Sequence, residues 1–146
     1  MLKPDPPPHR PVFGEPPPGV PCQKRDAAYA VIRSGDGRVA VVREDRRWFL
    51  PGGGSLAGET PEQTVAREVL EECGRRARGL QRIGEAIQYF YAPNDRCWYE
   101  MLAVFFNGEL ENEITGVAEC ELRWIDARAE AGVFFHACHA WAATQE

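Results

Sequence analysis

The chain has 146 residues, of which 44% are hydrophobic and 27% charged, and these are ordinary values for one globular domain. Its net charge of −5 disfavours a general DNA- or RNA-binding protein, because such proteins present a basic surface to phosphates. The sequence shows neither a signal peptide nor an apolar run that could cross a bilayer, so we expect a cytoplasmic protein.

Residues 1–24 are set apart by proline, since nine of the twelve prolines lie there. Proline fixes φ and lacks an N–H, so this segment cannot form a helix or a central strand. We expect an extended, proline-rich N-terminal arm over 1–24, followed by a folded domain over 25–146. The arm is a loosely ordered leader, a ligand for a proline-binding domain, or a segment that crosses to a partner subunit.

The segments after the arm alternate between strand-like and turn-like residues. Runs at 27–33 and 38–43 flank a Ser-Gly-Asp-Gly turn and predict a β-hairpin. A short apolar run at 48–50 leads into a glycine-rich loop at 52–59. Further strands are predicted at 80–91, 96–106 and 121–125, with a polar loop at 107–119 and a closing amphipathic helix at 134–144. Strands on both sides of an isolated helix indicate an α+β fold with a mixed sheet and helices on its faces.

The clearest helix prediction covers residues 61–73. Thr60 suits the N-cap, Pro61 suits the first helical position, and Gln63 completes a capping box with Thr60. Gly74 is a natural stop at the C-terminal end.

Three carboxylates share one stripe of this helix, about 100° wide: Glu68, Glu71 and Glu72. The face expected to pack on the sheet consists of Ala66, Val69, Leu70 and Cys73. Like charges at this spacing repel one another, and the last turn of a helix disfavours anions. The cluster is therefore either a solvated acidic face or a site for hard divalent cations.

Residues 53–75, GGSLAGETPEQTVAREVLEECGR, resemble the Nudix box, G-x5-E-x7-R-E-U-x-E-E-x-G-U, in which U is a bulky apolar residue. The fixed positions are filled by Gly53, Glu59, Arg67, Glu68, Glu71, Glu72 and Gly74. Only the last position departs from the pattern, where Arg75 replaces an aliphatic residue. The resemblance covers nearly all of residues 25–146 and implies the Nudix fold, an α/β/α sandwich in which helices flank a mixed β-sheet.

The resemblance implies a hydrolase that splits a diphosphate bond by attack of water on phosphorus. Its substrate would be a nucleoside diphosphate-X compound: a nucleoside triphosphate, including oxidised forms, a dinucleoside polyphosphate or a nucleotide sugar. The cofactor would be Mg²⁺, with Mn²⁺ as a substitute. The partner would be this small nucleotide rather than a stable nucleic-acid complex or a membrane, and many relatives form homodimers.

The same resemblance assigns roles to the box residues. The carbonyl of Gly53 and the carboxylates of Glu68, Glu71 and Glu72 would bind metal. Arg67 would pair with Glu59 and fix the loop against the helix. The general base would be a box glutamate or a glutamate that precedes the late strand. Glu119 and Glu121 are the candidates there, and Glu119 is preferred because it lies at the loop end.

Six aromatic residues could stack on a base or belong to the core: Trp48, Phe49, Tyr89, Tyr91, Trp98 and Tyr99. Trp48 and Tyr91 are the preferred substrate contacts. Tyr91 lies sixteen residues after Arg75, where a tyrosine is loosely associated with dinucleoside polyphosphate substrates in this family. Phe90 stands where a proline marks the members that act on ADP-ribose.

The five cysteines are odd in number and form no CxxC pair, which favours reduced thiols over a disulfide framework. His136, Cys138 and His139 could suggest zinc, but the sequence offers no second ligand pair, so we expect ordinary residues of the terminal helix.

Two other functions share this fold. A non-catalytic Nudix domain would sense a nucleotide or bind a protein, but such domains generally lose box carboxylates and none is lost here. An isoprenoid diphosphate isomerase needs a cysteine and an acid outside the box, and the sequence gives no clear sign of that pair.

Overall fold

The computed structural model describes residues 10–145, and the chain forms eight strands and two α-helices in that range. The strands are β1 (Val12–Phe13), β2 (Cys22–Ile32), β3 (Val39–Glu44), β4 (Arg47–Phe49), β5 (Gly52–Gly54), β6 (Ala77–Ala92), β7 (Cys97–Leu110) and β8 (Glu121–Ile125). The helices are α1 (Pro61–Cys73) and α2 (Ala137–Ala143), and a short 3₁₀ turn covers Ala131–Val133. Neither α1 nor α2 is long and apolar enough to cross a lipid bilayer.

The strands form a mixed five-stranded sheet, in the order β1-β6-β7-β2-β5, and an antiparallel three-stranded sheet, in the order β4-β3-β8. In the larger sheet, β7 runs parallel to β2, while β6 and β5 run antiparallel to their neighbours β7 and β2. The pairing of β2 with β7 extends from Cys22 opposite Trp98 to Ile32 opposite Gly108.

Strand β2 divides the core into two layers by the alternation of its side chains. Ala27, Tyr29 and Val31 lie in a cluster with residues of α2. Ala28, Ala30 and Ile32 lie in a second cluster with residues of α1. The two helices therefore cover opposite faces of the sheet, which confirms the α+β sandwich predicted from the sequence.

Helix α1 begins and ends where the sequence predicts. The N–H of Gln63 donates to Thr60 Oγ1 at 3.2 Å, and the Gln63 side chain accepts from the Thr60 N–H at 2.9 Å, which completes the capping box. Gly74 closes the helix in the left-handed conformation, with φ of +70°. A side chain there would also meet the carbonyl oxygen of Gly116 at 2.6 Å, so only glycine fits.

The buried face of α1 differs from the predicted face. Its buried residues are Thr64, Val65, Val69, Glu72 and Cys73. Ala66, expected to pack on the sheet, is exposed, and Leu70 is only half-buried. Because Glu72 lies between Thr64 and Val65 on the wheel, the buried face includes a carboxylate rather than lying opposite the acidic stripe.

The later elements are longer or shorter than expected. Strand β6 begins at Ala77 instead of 80, and β7 continues to Leu110 instead of ending at 106. The closing helix begins at Ala137 instead of 134, because Phe134 and Phe135 stay extended against Trp48. The N–H of Phe135 donates to the Trp48 carbonyl at 3.0 Å, so this backbone N–H is bonded to a strand and not within a helix.

The described part of the proline-rich arm is bound to the sheet. Val12 and Phe13 pair in parallel with Ile87 and Gln88 of β6, and the Phe13 ring lies 6.2 Å from that of Trp141. Residues 1–9 of the predicted arm lie outside the described residues. Strand β2 begins at Cys22, so the expected division after residue 24 falls inside a strand.

Strand β6 is irregular along its pairing with β7. Register shifts lie between Arg78 and Gln81 and between Arg82 and Gly84. Such bulges twist a strand and interrupt its ladder of hydrogen bonds.

Candidate active site

The site is organised by the contact between β5 and α1. Gly52 adopts φ of +146°, and a side chain there would overlap the carbonyl oxygen of Ala28 and meet the Tyr29 Cα at 2.6 Å. Glycine therefore lets β5 lie directly against β2. In that position the N–H of Gly52 donates to Glu72 Oε1 at 2.8 Å. The loop and the helix are thus joined through a glutamate of the acidic cluster.

The neighbouring glycine makes room for a second carboxylate. A Cβ on Gly53 would lie 2.9 Å from the Glu68 carboxyl carbon and 3.1 Å from its Oε1. Glu68 therefore lies directly on the Gly53 backbone. Three residues of the box pattern, Gly53, Glu68 and Glu72, are therefore brought together where β5 meets α1.

Arg67 holds the loop against the helix by a two-pronged ion pair. Its Nε donates to Glu59 Oε2 at 2.8 Å and its Nη2 donates to Glu59 Oε1 at 3.0 Å. Nη2 also donates to the Gly54 carbonyl at 3.1 Å. The expected Arg67–Glu59 pair is therefore present, and the hydrogen bonds of Arg67 hold the pKa of Glu59 down at about 2.

The remaining N–H groups of Arg67 reach the acidic cluster. Nη1 donates to Glu68 Oε1 at 2.8 Å and lies 3.4 Å from Glu71 Oε2. Glu71 is the most exposed of the three helix carboxylates and lies at the rim of the site. Arg67 thus compensates part of the negative charge on the outer side of the cluster.

Among the three helix carboxylates, Glu72 is the one whose negative charge the protein compensates least, because Arg67 reaches Glu68 and Glu71 instead. It is only 5% exposed, and burial raises its pKa to about 9 despite the hydrogen bond from Gly52. Burial also raises the pKa of Glu68, against the opposing effect of Arg67. The charges of Glu44, Glu68 and Glu71 contribute further to the rise at Glu72. A buried acidic group among other acids is suited to bind a cation.

The oxygen donors of this site fit a divalent cation that keeps waters or substrate phosphates as its other ligands. Among residues 10–145, no three acidic, imidazole or thiol side chains converge closely enough to enclose a metal on their own. Mg²⁺ does not need such a cage, because it keeps several waters and binds one or two carboxylates together with substrate phosphates. Glu68 and Glu72 beside the Gly53 backbone supply oxygen donors of that kind.

Glu44 is a residue of this site that the sequence did not reveal. It is the last residue of β3, and the turn at 45–46, with both residues at positive φ, returns the chain so that Glu44 lies opposite Arg47. Its charge raises the pKa of both Glu68 and Glu72. Glu44 also lines the same cavity as Glu72. No local motif marks it, because its position depends on how the two sheets meet.

Two cavities open beside the acidic cluster. The first, here named the aromatic cavity, has a volume of about 320 Å³ and includes Phe49, Phe90, Phe135, His136, Glu72 and Gly53 in its lining. The second, here named the loop cleft, has a volume of about 900 Å³ and includes residues 54–59, Glu68 and Tyr99. Ligand sites have volumes of roughly 300–1,000 Å³, so each could hold part of a substrate.

The two aromatic residues preferred as substrate contacts from the sequence lie outside both cavities. Trp48 packs against the core with the Arg123 guanidinium 4.8 Å from its ring centroid, and Tyr91 is 45% exposed beside Trp98. Neither Trp48 nor Tyr91 lines the aromatic cavity or the loop cleft. Phe49 and Tyr99, from the same group of six, do line them.

Glu119 lies close to the helix through its backbone. Its N–H donates to the Glu71 carbonyl at 3.0 Å, and the N–H of Cys120 donates to the Glu72 carbonyl at 3.2 Å. The loop therefore satisfies carbonyls at the C-terminal end of α1. The Glu119 side chain is exposed, and Glu121 pairs with Arg43 at 3.5 Å.

The two histidines of the C-terminal segment are buried among aromatic rings. His139 Nδ1 accepts from the Leu50 N–H at 3.1 Å, and its ring lies 4.2 Å from that of Tyr29. His136 caps α2 and lies 4.7 Å from the Phe90 ring. Their neighbours are thus core aromatic residues, and all five cysteines of the chain are free thiols.

Comparison with known proteins agrees with this geometry. The family model described as NUDIX domain matches residues 23–137. A protein of Mycobacterium tuberculosis strain CDC 1551 / Oshkosh, provisionally named mutator protein MutT4, is 39% identical over 103 residues, which are 64% of this chain and 40% of that protein. Another from strain ATCC 25618 / H37Rv, provisionally named 8-oxo-dGTP diphosphatase 3, is 33% identical over 110 residues, 69% of this chain and 51% of that protein. The chain thus spans about half the length, or less, of these relatives.

Solved structures give the same fold. A NUDIX hydrolase from Nitrosomonas europaea superposes with a TM-score of 0.61 at 20% identity, over 82% of this chain and 86% of that one. A MutT protein from Bacillus halodurans superposes with a TM-score of 0.60 at 21% identity, over 83% and 80%. At such identities the likeness concerns the fold alone. With the family match over most of its length and a box at the β5–α1 contact that departs from the pattern only at Arg75, the chain belongs to the Nudix family.

Proposed function

We propose that the protein is a Nudix pyrophosphohydrolase that splits a diphosphate bond in a nucleoside diphosphate-X substrate. The observation that carries this proposal is the complete acidic cluster of α1, with Glu68 and Glu72 held on the β5 glycines beside two cavities. The names of its relatives favour a nucleoside triphosphate, including oxidised forms, over a dinucleoside polyphosphate or a nucleotide sugar.

The proposed cofactor is Mg²⁺, with Mn²⁺ as a substitute. Glu68, Glu71, Glu72 and the Gly53 carbonyl are the proposed ligands. When bound, the ion would offset the charge of the diphosphate oxygens and make a bound water more acidic. The high pKa of Glu72 supports this assignment, because a buried acid without a cation costs free energy that a cation would offset.

The chain's own residues would then orient the reaction. Water attacks phosphorus, the new P–O bond forms as the bond to the bridging oxygen breaks, and a carboxylate takes the proton of the water. The products are a nucleoside monophosphate, or another phosphate ester, and the released phosphorylated group. Arg67 is a positioning residue, because its fork to Glu59 fixes the loop that carries Gly53.

Three groups of glutamates are candidates for the general base. From the sequence, the base is a box glutamate or a loop glutamate, Glu119 being preferred there over Glu121. Glu44 joins these candidates because it lines the aromatic cavity with Glu72. Replacing Glu44 and Glu119 by glutamine, one at a time, would separate them. The residue whose loss lowers kcat most, and removes the acidic limb of the pH profile, is the base.

The proposed partner is a small nucleotide, and no stable nucleic-acid complex is expected for a chain of net charge −5. A homodimer remains a prediction from family resemblance and would be checked by light scattering.

The test of the proposed function is hydrolysis of a nucleotide panel with Mg²⁺ by three proteins. The panel holds GTP, 8-oxo-dGTP, diadenosine tetraphosphate and an ADP-sugar, and the proteins are the native chain, Glu72→Gln and Glu62→Gln. Glu62 is a matched control, because it is an exposed glutamate in the first turn of the same helix. We expect Glu72→Gln to lose about 10²- to 10⁴-fold in kcat/KM and the control to lose less than about twofold.

Two results would oppose the proposal. Full activity in Glu72→Gln would show that Glu72 is not needed for hydrolysis. No turnover of any substrate, with nucleotide still bound, would indicate a non-catalytic domain that senses a nucleotide.

A further inference from the structure

Arg25 occupies the boundary between the two cavities. It lies in β2, opposite Met101 of β7, and lines both the aromatic cavity and the loop cleft. Its guanidinium lies on Gly54, where a Cβ would meet Nη2 at 3.1 Å, and 5.8 Å from the centroid of the Tyr99 ring. Gly54 is thus the third consecutive glycine of β5 to make room for a neighbour.

The charge of Arg25 is not compensated within the described residues. Its Nε is buried and has no hydrogen-bond partner, and no carboxylate of residues 10–145 lies within ion-pair distance. The nearby cations differ in this respect: Lys24 is paired with Glu100 at 3.7 Å and Arg82 with Glu85 at 2.9 Å. A half-buried donor without a partner costs free energy, and a bound anion would recover it.

The aromatic cavity beside Arg25 has the character of a site for a flat ring. Phe49, Phe90 and Phe135 contribute ring surfaces, and Arg47 covers Phe135 from 4.1 Å. His136 lies among these rings, only 4% exposed, and its buried Nδ1 has no hydrogen-bond partner among residues 10–145. Burial, together with the charges of Arg25 and Arg47, lowers the pKa of His136 to about 4. A neutral imidazole presents one donor and one acceptor to a ligand edge.

We propose that Arg25 binds the phosphate that follows the nucleoside, while the aromatic cavity holds the base against Phe90, Phe135 and His136. This inference rests on the proposed function and adds where the substrate binds: its base lies in the aromatic cavity, and the first phosphate on its sugar lies at Arg25. The diphosphate then extends from Arg25 toward Glu68 and Glu72, since the two cavities that meet at Arg25 include those carboxylates. The guanidinium fork suits two phosphate oxygens at once.

Binding, rather than turnover, tests this inference. The probes are α,β-methylene-ADP, α,β-methylene-GDP and methylenediphosphonate, which resist hydrolysis, and the measurement is calorimetric titration with Mg²⁺ present. The proteins are the native chain, Arg25→Gln, Arg25→Lys, Phe135→Ala and the control Arg38→Gln. Arg38 is also an arginine, but its side chain is 59% exposed, is paired with Asp36 and lines neither cavity.

We expect Arg25→Gln to weaken all three probes by about 10- to 100-fold, because hydrogen bonds to charged groups are lost. Arg25→Lys should recover part of that loss, and Arg38→Gln should change each Kd by less than about twofold. Phe135→Ala should weaken the two nucleotide probes by about tenfold and leave methylenediphosphonate unchanged, because only the nucleotides carry a ring that stacks. Thermal unfolding of each variant verifies that it is folded.

The outcomes separate this inference from the proposed function. Native affinity in a folded Arg25→Gln, or an equal effect of Phe135→Ala on all probes, would overturn the inference even if the native chain hydrolyses nucleotides. The expected pattern of affinities in a protein without turnover would support the inference while the proposed hydrolysis fails.

Discussion

Replacing Gly53 by alanine should separate activity from stability. The added Cβ would lie 2.9 Å from the Glu68 carboxyl carbon, about half an ångström closer than ordinary contact. The obstacle is the end of a flexible side chain, and Gly53 does not have a positive φ, so the backbone can accept alanine. The cost therefore falls on the position of the Glu68 carboxylate rather than on the fold.

The magnitude follows from that displacement. Misplacing a catalytic group by about 1 Å can cost about 100-fold in rate, so we expect kcat/KM to fall about 10- to 100-fold. The free energy of unfolding should stay within about 1 kcal/mol of the native value, since alanine also restricts the unfolded chain.

The assay is steady-state hydrolysis with Mg²⁺, paired with urea unfolding. Gly35→Ala is the matched control, because Gly35 lies in a surface turn and its Cβ would meet nothing within 4 Å. A folded Gly53→Ala protein with kcat/KM within twofold of native would refute the role assigned to the Gly53–Glu68 contact.

Three further predictions concern neighbouring groups. Gly52→Ala should lower the free energy of unfolding by about 3 kcal/mol or more in urea titration, because its positive φ and its contact with β2 exclude a Cβ; an unchanged midpoint would contradict this. Arg67→Lys keeps the charge but loses the fork to Glu59, so kcat/KM should fall roughly tenfold and NMR titration should find the pKa of Glu59 above 2. Burial lowers the pKa of His136 and His139 in the folded protein, so the unfolded chain binds more protons below pH 6.5. The contribution of these two neutral histidines to the free energy of unfolding is therefore complete above pH 6.5. It is lost as pH falls toward 4, by up to about 3 kcal/mol for His136 alone. Urea titrations across this range should use a Glu68→Gln, Glu72→Gln background, because the raised pKa values of these two carboxyls act in the opposite direction; a flat profile there would disprove the prediction.

Local signals account for the parts of the structure that the sequence predicts well. Both ends of α1 follow from Thr60, Gln63 and Gly74, whose hydrogen bonds reach only three or four residues along the chain. The Arg67–Glu59 pair is what the resemblance to the Nudix box implies. Such features need no knowledge of the other strands.

Features that depend on packing between distant elements were not predictable in this way. The hydrophobic pattern of α1 does not reveal that Glu72 lies in its buried face. The hydrogen-bond donor to Glu72 is the Gly52 N–H, which belongs to β5. Arg25, Glu44 and His136 come from β2, the end of β3 and the start of α2, and they meet only because the two sheets meet. The sequence predicts that α2 begins at 134, but it begins at Ala137 because Phe134 and Phe135 make strand contacts with Trp48.

The irregular course of β6 bears on how copies of this chain could associate. Long, flat edge strands invite another strand to add to the sheet, and proteins prevent this with bulges, charges and short covering strands. Strand β6 carries all three: register shifts at 78–81 and 82–84, the ion pair of Arg82 with Glu85, and β1 over Ile87 and Gln88. A second copy would find no long uninterrupted ladder here. A homodimer of this protein should therefore not form by adding a strand along β6.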